Sequence, residues 1–201
     1  MNKLSESTML PEFRFKGGRT YIHGTDLFQS VTQFQEAHNR GYLKEMSFRL
    51  FGDRQSAILF AAPENAESRT ICQGRWYDGE TASDVKFWVV EQGDPVSDRY
   101  EFDEDALCSG AELSEDTILR SFNSEFSMIE NIVALTKKFH NEKLPLNKGK
   151  WVFGQIVLNE RLPDSSGLIQ IENYQNIKDR FSRNRIVLDG HIVGEIRFIV
   201  A

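Results

Sequence analysis

Residues 189–198, DGHIVGEIRF, repeat the outline of residues 78–87, DGETASDVKF, and this internal repeat decides how the fold is interpreted. The Asp, Gly and Phe positions coincide, and three further positions pair in kind, Asp with Glu, Val with Ile and Lys with Arg. Each copy follows one strand-like run and begins another, so each is expected to turn a β-hairpin. Asp-Gly favours a type I′ turn, in which both central residues have positive φ. A repeat of this length predicts two similar structural units.

Each half also contains one helix-like segment followed by strand-like runs. In the first half, apolar residues at helical spacing predict a helix over roughly residues 26–39, with Thr25 or Asp26 as its cap. A strand is expected from Phe13, and Gly52-Asp53 is expected to turn a first hairpin between two further strands. The order β-α-β-β-β-β is therefore predicted for the half.

The second half has an apolar stripe at helical spacing that begins at Leu119 and continues to Val133. Two interpretations stay open: one helical stretch capped near Ser114, or two helices with a break near Asn123. In the second case Ser127 and Glu130 form a capping box at the start of the second helix. Strand-like runs follow this region to the end of the chain, so the order of the first half recurs.

Composition limits the classes of function. The chain has 201 residues, 40% hydrophobic residues and a net charge of -6, which is typical of a globular protein and unfavourable for binding nucleic acid. The 2 cysteines lack the spacing of a metal site, and no metal or cofactor is expected. The sequence contains no run of 18 apolar residues, so no membrane span is predicted. The first residues lack an apolar signal region, and a cytoplasmic location is therefore expected.

The predicted organisation is α+β, with two tandem units. Residues 1–11 are expected to form a flexible N-terminal tail, residues 12–92 the first unit and residues 98–201 the second. Gly93-Asp94-Pro95 marks the junction between them.

A buried helix wrapped by a long antiparallel sheet is the hotdog fold, and the chain resembles hotdog proteins in the order of its parts. Its closing run, residues 194–200, resembles the last strands of hotdog thioesterases and dehydratases. The resemblance implies two hotdog-like units whose antiparallel sheets join into one double-hotdog domain, which would remove two exposed sheet edges.

The segment SMIENIVAL, residues 127–135, is similar to the central helix of β-hydroxyacyl-ACP dehydratases. The similarity places Glu130 at the position of the catalytic acid and implies His23, from the other unit, as its catalytic partner. The family pattern H-x-x-x-G-x-x-x-x-P is absent, because Gly24 directly follows His23. The D-x-N-P-x-H pattern of the related hydratases is also absent.

The similarity implies a 3-hydroxyacyl-thioester dehydratase or hydratase of fatty-acid or polyketide metabolism. Dehydration needs a base for the α-proton and an acid for the leaving hydroxyl, and His23 and Glu130 supply these two types of group. Gly24 and Thr25, at the start of the first helix, are expected to bind the thioester carbonyl through their amides. The expected partner is an acyl thioester of CoA or of acyl carrier protein, and a homodimer is compatible with the sequence.

Two alternatives remain. In a thioesterase, a single carboxylate such as Glu130 would activate water, and His23 would be dispensable. In a non-catalytic acyl-binding or partner subunit, Glu130 would serve only in its capping box and His23 would be a structural residue at a strand end.

Overall fold

The computed structural model describes residues 8–36, 41–63 and 68–201. The chain divides into two compact units, residues 1–102 and 103–201. Each unit contains an antiparallel sheet and one helix of more than three turns, so the predicted α+β class is confirmed.

The first unit has the element order expected from its sequence, with short additional strands. Its elements are β1 (Thr8–Met9), β2 (Phe15–Lys16), α1 (Gly24–Glu36), β3 (Tyr42–Phe48), β4 (Arg54–Leu59), β5 (Thr70–Asp78), β6 (Ser83–Pro95) and β7 (Arg99–Tyr100). The main sheet has the order β1-β4-β6-β5-β3, and β2 pairs with β7 in parallel. Helix α1 packs on β3 and buries Leu27, Phe28 and Val31.

The prediction of a hairpin at Gly52-Asp53 is wrong. Strand β3 pairs with β5, whereas β4 lies between β1 and β6. Gly52 is buried where the chain crosses between these positions: its carbonyl accepts from Ile22 N at 2.7 Å, and a Cβ there would lie 2.6 Å from Ile71 Cδ1. The glycine therefore permits a close approach to β5 rather than a tight turn.

The two copies of the Asp-Gly repeat form different turns. In the second unit Asp189 and Gly190 have φ of 49° and 83° and join paired strands, as the type I′ prediction requires. In the first unit Asp78 pairs with Ser83, so four residues form the turn. There the Asp78 carboxylate accepts from Glu80 N at 2.9 Å and closes the turn through its side chain.

The ends of the first unit differ from the expected boundaries. Thr8 and Met9 of the predicted tail pair with Leu59 and Ile58, while residues 1–7 lie outside the described residues. Strand β7 belongs to the first unit because it pairs with β2, so the boundary falls after Phe102 rather than at residue 98. Helix α1 begins two residues before the predicted start, and the predicted last residues 37–39 are also outside the described part.

The second unit encloses the more apolar helix. Its elements are α2 (Glu104–Cys108), β8 (Glu112–Leu113), β9 (Thr117–Ser121), α3 (Met128–Lys143), β10 (Trp151–Leu158), β11 (Leu168–Ile177), β12 (Phe181–Leu188) and β13 (His191–Val200). The sheet order is β10-β13-β12-β11-β9-β8. Helix α3 contacts β9, β10, β11 and α2, which explains why ten of its residues are buried. Residues 117–121 form the strand β9, so the helix predicted to begin near Ser114 is absent. The helix predicted to begin after Ser127 is present as α3.

Candidate functional site

His23 is the N-cap of α1. Its carbonyl accepts from Asp26 N at 3.0 Å and from Leu27 N at 3.2 Å, and its ring Nδ1 accepts from Thr25 N at 3.5 Å. A side chain that accepts from an amide of the first turn satisfies one of the donors that a helix N-terminus leaves unpaired. The predicted caps, Thr25 and Asp26, instead occupy positions inside the helix. The Thr25 amide, one of the two amides predicted to bind the thioester carbonyl, therefore donates to the capping side chain of His23. The second of these amides belongs to Gly24, which is partly exposed.

A buried lysine supports this turn. The side chain of Lys16 is fully buried; its Nζ lies 2.6 Å from Thr25 Oγ1 and 2.7 Å from Asp26 Oδ1. The same Thr25 hydroxyl lies 2.7 Å from His23 Nδ1. Burying an ammonium is costly unless it is paired and hydrogen-bonded, and both conditions hold here. Lys16 was not predicted, because a lysine in a two-residue strand carries no local signal, and Asp26 was predicted only as a helix cap.

Aromatic residues after β6 complete the surroundings of Lys16. Its Nζ lies 4.6 Å from the centre of the Phe102 ring, within the range of a cation–π contact. Tyr100 donates its hydroxyl to Asp26 Oδ1 at 2.9 Å. Asp26 Oδ2 is buried and accepts no hydrogen bond from the described residues, so this carboxylate depends on Lys16 for compensation of its charge.

Glu130 lies in the first turn of α3, and the predicted capping box is present. Its Oε2 accepts from Ser127 N at 2.9 Å and from Ser127 Oγ at 2.7 Å, and Glu130 N donates to Ser127 Oγ at 3.4 Å. The next residue, Asn131, is fully buried and binds the preceding loop through Asn123 O at 3.1 Å and Phe126 O at 3.2 Å. Together these contacts fix the position of the Glu130 carboxylate at the start of the helix.

A second buried histidine lies near the end of α3. His140 Nδ1 is 2.5 Å from Thr136 O, and its Nε2 bonds to the hydroxyl of Ser182 on β12. Because Thr136 O can only accept, Nδ1 carries the ring proton, and Ser182 donates to Nε2. Burial lowers the pKa of His140 to about 4. His140 is fully buried, so this pair has a structural role.

The structure therefore places the predicted site residues at the start of the two main helices. His23, Gly24 and Thr25 lie together at the N-terminus of α1, and Glu130 lies in the first turn of α3, in the other unit. The pairing of His23 with Glu130 in one reaction stays a prediction.

Other chemistry is limited in the described part of the chain. Cys72 and Cys108 are buried and unbonded to each other, and burial raises the pKa of both thiols. Within residues 8–36, 41–63 and 68–201, no group of three or more His, Cys, Asp or Glu side chains is arranged to hold a metal ion. No helix of the described segments has the length and hydropathy needed to cross a bilayer.

Comparison with solved structures identifies the fold. The tesB protein of Mycobacterium avium subs. paratuberculosis is similar over 98% of this chain and 93% of its own, with a TM-score of 0.51 and 6% identity. A proposed thioesterase of Novosphingobium aromaticivorans is similar over 99% and 97%, with a TM-score of 0.50 and 11% identity. An erythromycin dehydratase matches over 94% and 84%, with a TM-score of 0.46 and 15% identity.

No protein-family model and no curated protein matches the sequence. At these identities the structural similarity concerns the fold, and it confirms the hotdog resemblance. The joining of the two units into one double-hotdog domain stays a prediction.

Proposed function

We propose that the protein hydrolyses acyl thioesters and that Glu130 is the carboxylate that activates water. The observation that carries this proposal is the pair of donors on Glu130 Oε2, the amide and the hydroxyl of Ser127. Both donors need a lone pair on that oxygen, so the contacts suit an ionised carboxylate, the form in which a general base acts. General-base activation of water requires such a group.

The reaction balances with this one base. The oxygen of a water molecule attacks the carbonyl carbon of the thioester while Glu130 takes a proton from the water. The carbon–sulfur bond then breaks, and the departing sulfur takes the proton from Glu130. The products are a carboxylic acid and a thiol, and the carboxylate returns to its starting form.

His23 suits a supporting part in this scheme. Its Nδ1 accepts from the Thr25 amide, so in the neutral ring the proton is on Nε2. A donor of this kind and the Gly24 amide are groups of the type that stabilises negative charge on a carbonyl oxygen. A dehydratase would instead need His23 as a base and Glu130 as an acid, the reverse of the roles that their contacts favour.

The names of the two structures with a TM-score of at least 0.5 also favour this choice, since one is described as a proposed thioesterase and the other as a tesB protein. The acyl chain and its carrier, CoA or acyl carrier protein, are left to the experiment. A cytoplasmic location and a homodimer remain predictions.

The test is turnover of a panel of acyl-CoA, 3-hydroxyacyl-CoA and acyl-carrier-protein thioesters by the full chain. We expect release of free thiol, and we expect Glu130→Gln to lower kcat by about 10²-fold or more, the usual contribution of a general base. Glu142→Gln, on the exposed end of the same helix, is the matched control and should retain activity.

Formation of an enoyl product without thiol release would replace hydrolysis with dehydration. Equal activity of Glu130→Gln and the wild type, with a loss of stability alone, would leave Glu130 as a capping residue. Absence of turnover by a folded wild type on every substrate would favour the acyl-binding or partner-subunit alternative.

A further inference from the structure

Strands β11, β12 and β13 of the second unit present their outward side chains in rows that run across the sheet. On β12, the exposed residues Arg183 and Arg185 alternate with buried residues of the same strand. Arg183 stands directly opposite Arg197 of β13, and the same row continues to Gln175 on β11 and Gln155 on β10. This row therefore places two positive charges side by side and contains no carboxylate.

The adjacent row shows how the same face compensates a charge. Arg185 stands between Glu172 of β11 and Glu195 of β13, and its Nη1 lies 3.7 Å from Glu172 Oε2. Among the residues that the structure describes, no acidic side chain forms an ion pair with Arg183 or Arg197. Like charges directly opposite each other in an antiparallel pair are destabilising, because their Cβ atoms are only about 5 Å apart. The two arginines therefore repel each other in the free protein, and a bound anion would relieve this repulsion.

Aromatic side chains hold both guanidinium groups without neutralising them. The Cζ atom of Arg197 lies 4.2 Å from the centre of the Phe181 ring, and its Nε has no acceptor among the described residues. Arg183 interacts with the hydroxyl of Tyr174, which itself donates to Glu195 at 2.7 Å. A guanidinium that stacks on a ring uses its face, so its N–H groups remain directed outward along its edge. Edge N–H groups of this kind bind carboxylates.

We propose that this face docks a segment of a partner protein that combines acidic and apolar residues, with a carboxylate bound between Arg183 and Arg197. The apolar contact comes from the next row, in which Phe181 stands opposite Ile177, 39% exposed, and Ile199. Arginine and aromatic residues are enriched in protein interfaces, whereas sites for small molecules are concave, and these rows lie on the open face of a sheet. The net charge of the chain is -6, so most of its surface repels an acidic partner and this face attracts one.

The first test measures the repulsion between the two arginines in the free protein. Arg183→Gln should raise the ratio of folded to unfolded protein by about twofold to fivefold, because it removes the like charge opposite Arg197. Arg185→Gln is the matched control and should lower this ratio by a similar factor, because Glu172 and Glu195 lose the cation between them. Urea unfolding of the full chain at low ionic strength measures both ratios. Equal losses in the two variants would overturn the argument from like charges.

The second test measures binding through the ¹⁵N signals of the arginine Nε groups in the full-length protein. The probe is a helical peptide of Glu, Leu and Ala with Glu and Leu on one face, and its control has Gln in place of Glu. We expect the acidic peptide to shift the signals of Arg183 and Arg197. Arg183→Gln should weaken binding by about tenfold or more, the effect of losing a hydrogen bond between charged groups. Arg185→Gln should change it by less than about twofold, because that exposed charge is already paired.

Other occupants of this face give different results. No shift at about 1 mM acidic peptide, or equal shifts with the control peptide, would overturn the docking of an acidic segment. Shifts with inorganic phosphate or tripolyphosphate but none with the peptide would replace the protein segment with a phosphate ligand. Sedimentation should show that Arg183→Gln leaves the oligomeric state unchanged; loss of a dimer in this variant would make a second copy of the chain the occupant. Neither Glu130 nor His23 belongs to these rows, so these results do not depend on the hydrolysis of thioesters.

Discussion

His140 illustrates at the scale of one residue how burial controls a titratable group. The imidazole is enclosed by Trp151 and Phe198, with ring centres 4.8 Å and 5.0 Å away, and its two nitrogens bond to Thr136 and Ser182. Burial disfavours the imidazolium, and the ordinary pKa of 6.5 falls to about 4. Both ring nitrogens are satisfied while the ring is neutral, so protonation would break the bond from Ser182.

This histidine predicts a stability that depends on pH. The folded protein binds the proton less tightly than the unfolded chain, so the stabilisation is complete above pH 6.5 and is lost as the pH falls towards about 4. At about 1.4 kcal/mol per pH unit, the loss amounts to about 3 kcal/mol. Urea unfolding between about pH 4.5 and 7.5 should show this slope. His140→Gln should reduce it, and His191→Gln, at an exposed position, should not. An unchanged slope in His140→Gln would assign the effect to other groups.

Three contacts of titratable side chains differ in how far the sequence could predict them. Ser127 and Glu130 lie three positions apart, so their capping box is visible in the sequence and is present in the structure. Lys16 meets Thr25 nine positions away, and His140 meets Ser182 over a separation of 42. Contacts of this kind depend on the sheet register, which local patterns do not define.

At the scale of elements, the repeated Asp-Gly pair predicts different responses to the same substitution. Gly190 has φ of 83°, a conformation that costs an L-residue about 1 kcal/mol or more. Gly79 has an ordinary φ, and a Cβ there would lie 3.8 Å from its nearest neighbour, in normal van der Waals contact. Gly190→Ala should therefore lower the free energy of unfolding by about 1 kcal/mol, whereas Gly79→Ala should change it by less than about 0.5 kcal/mol. Chemical denaturation measures both; equal losses would mean that the Asp78 turn also requires glycine.

The existence of most strands and helices could be predicted from the sequence, whereas the pairing of the strands and the exact boundaries of the helices could not. The Gly52-Asp53 dipeptide resembles a hairpin turn in the sequence, but β3 and β4 take separate places in the sheet. Apolar spacing from Leu119 suggested a helix, yet residues 117–121 pair with β11. In both cases the tertiary pairing of strands outweighs the local pattern, because burial on the sheet stabilises more than local preference does.

At the scale of the whole molecule, the internal repeat predicted two units, and the structure has one buried cysteine in each. Cys72 is fully buried in β5 of the first unit, and burial raises its pKa well above the ordinary value. Cys108 is the last residue of α2 in the second unit, is 5% exposed, and has a pKa raised to about 11, chiefly by burial. Since the thiolate is the reactive form, both cysteines should react slowly in the native protein. Each thiol therefore reports the opening of its own unit.

The surroundings of the two thiols predict unequal rates of labelling. Cys108 lies at the end of a helix of five residues, and so short a helix is stable only through its packing on α3. Cys72 lies in a strand that is paired on both sides, with β3 and with β6, so its exposure requires separation of the sheet. We expect a thiol reagent to label Cys108 on the order of tenfold faster than Cys72 in native buffer, because local opening needs less free energy than unfolding of a unit. Mass spectrometry of Cys72→Ala and Cys108→Ala measures each rate separately. Equal rates that both follow the global unfolding rate would show that α2 opens only when the second unit unfolds.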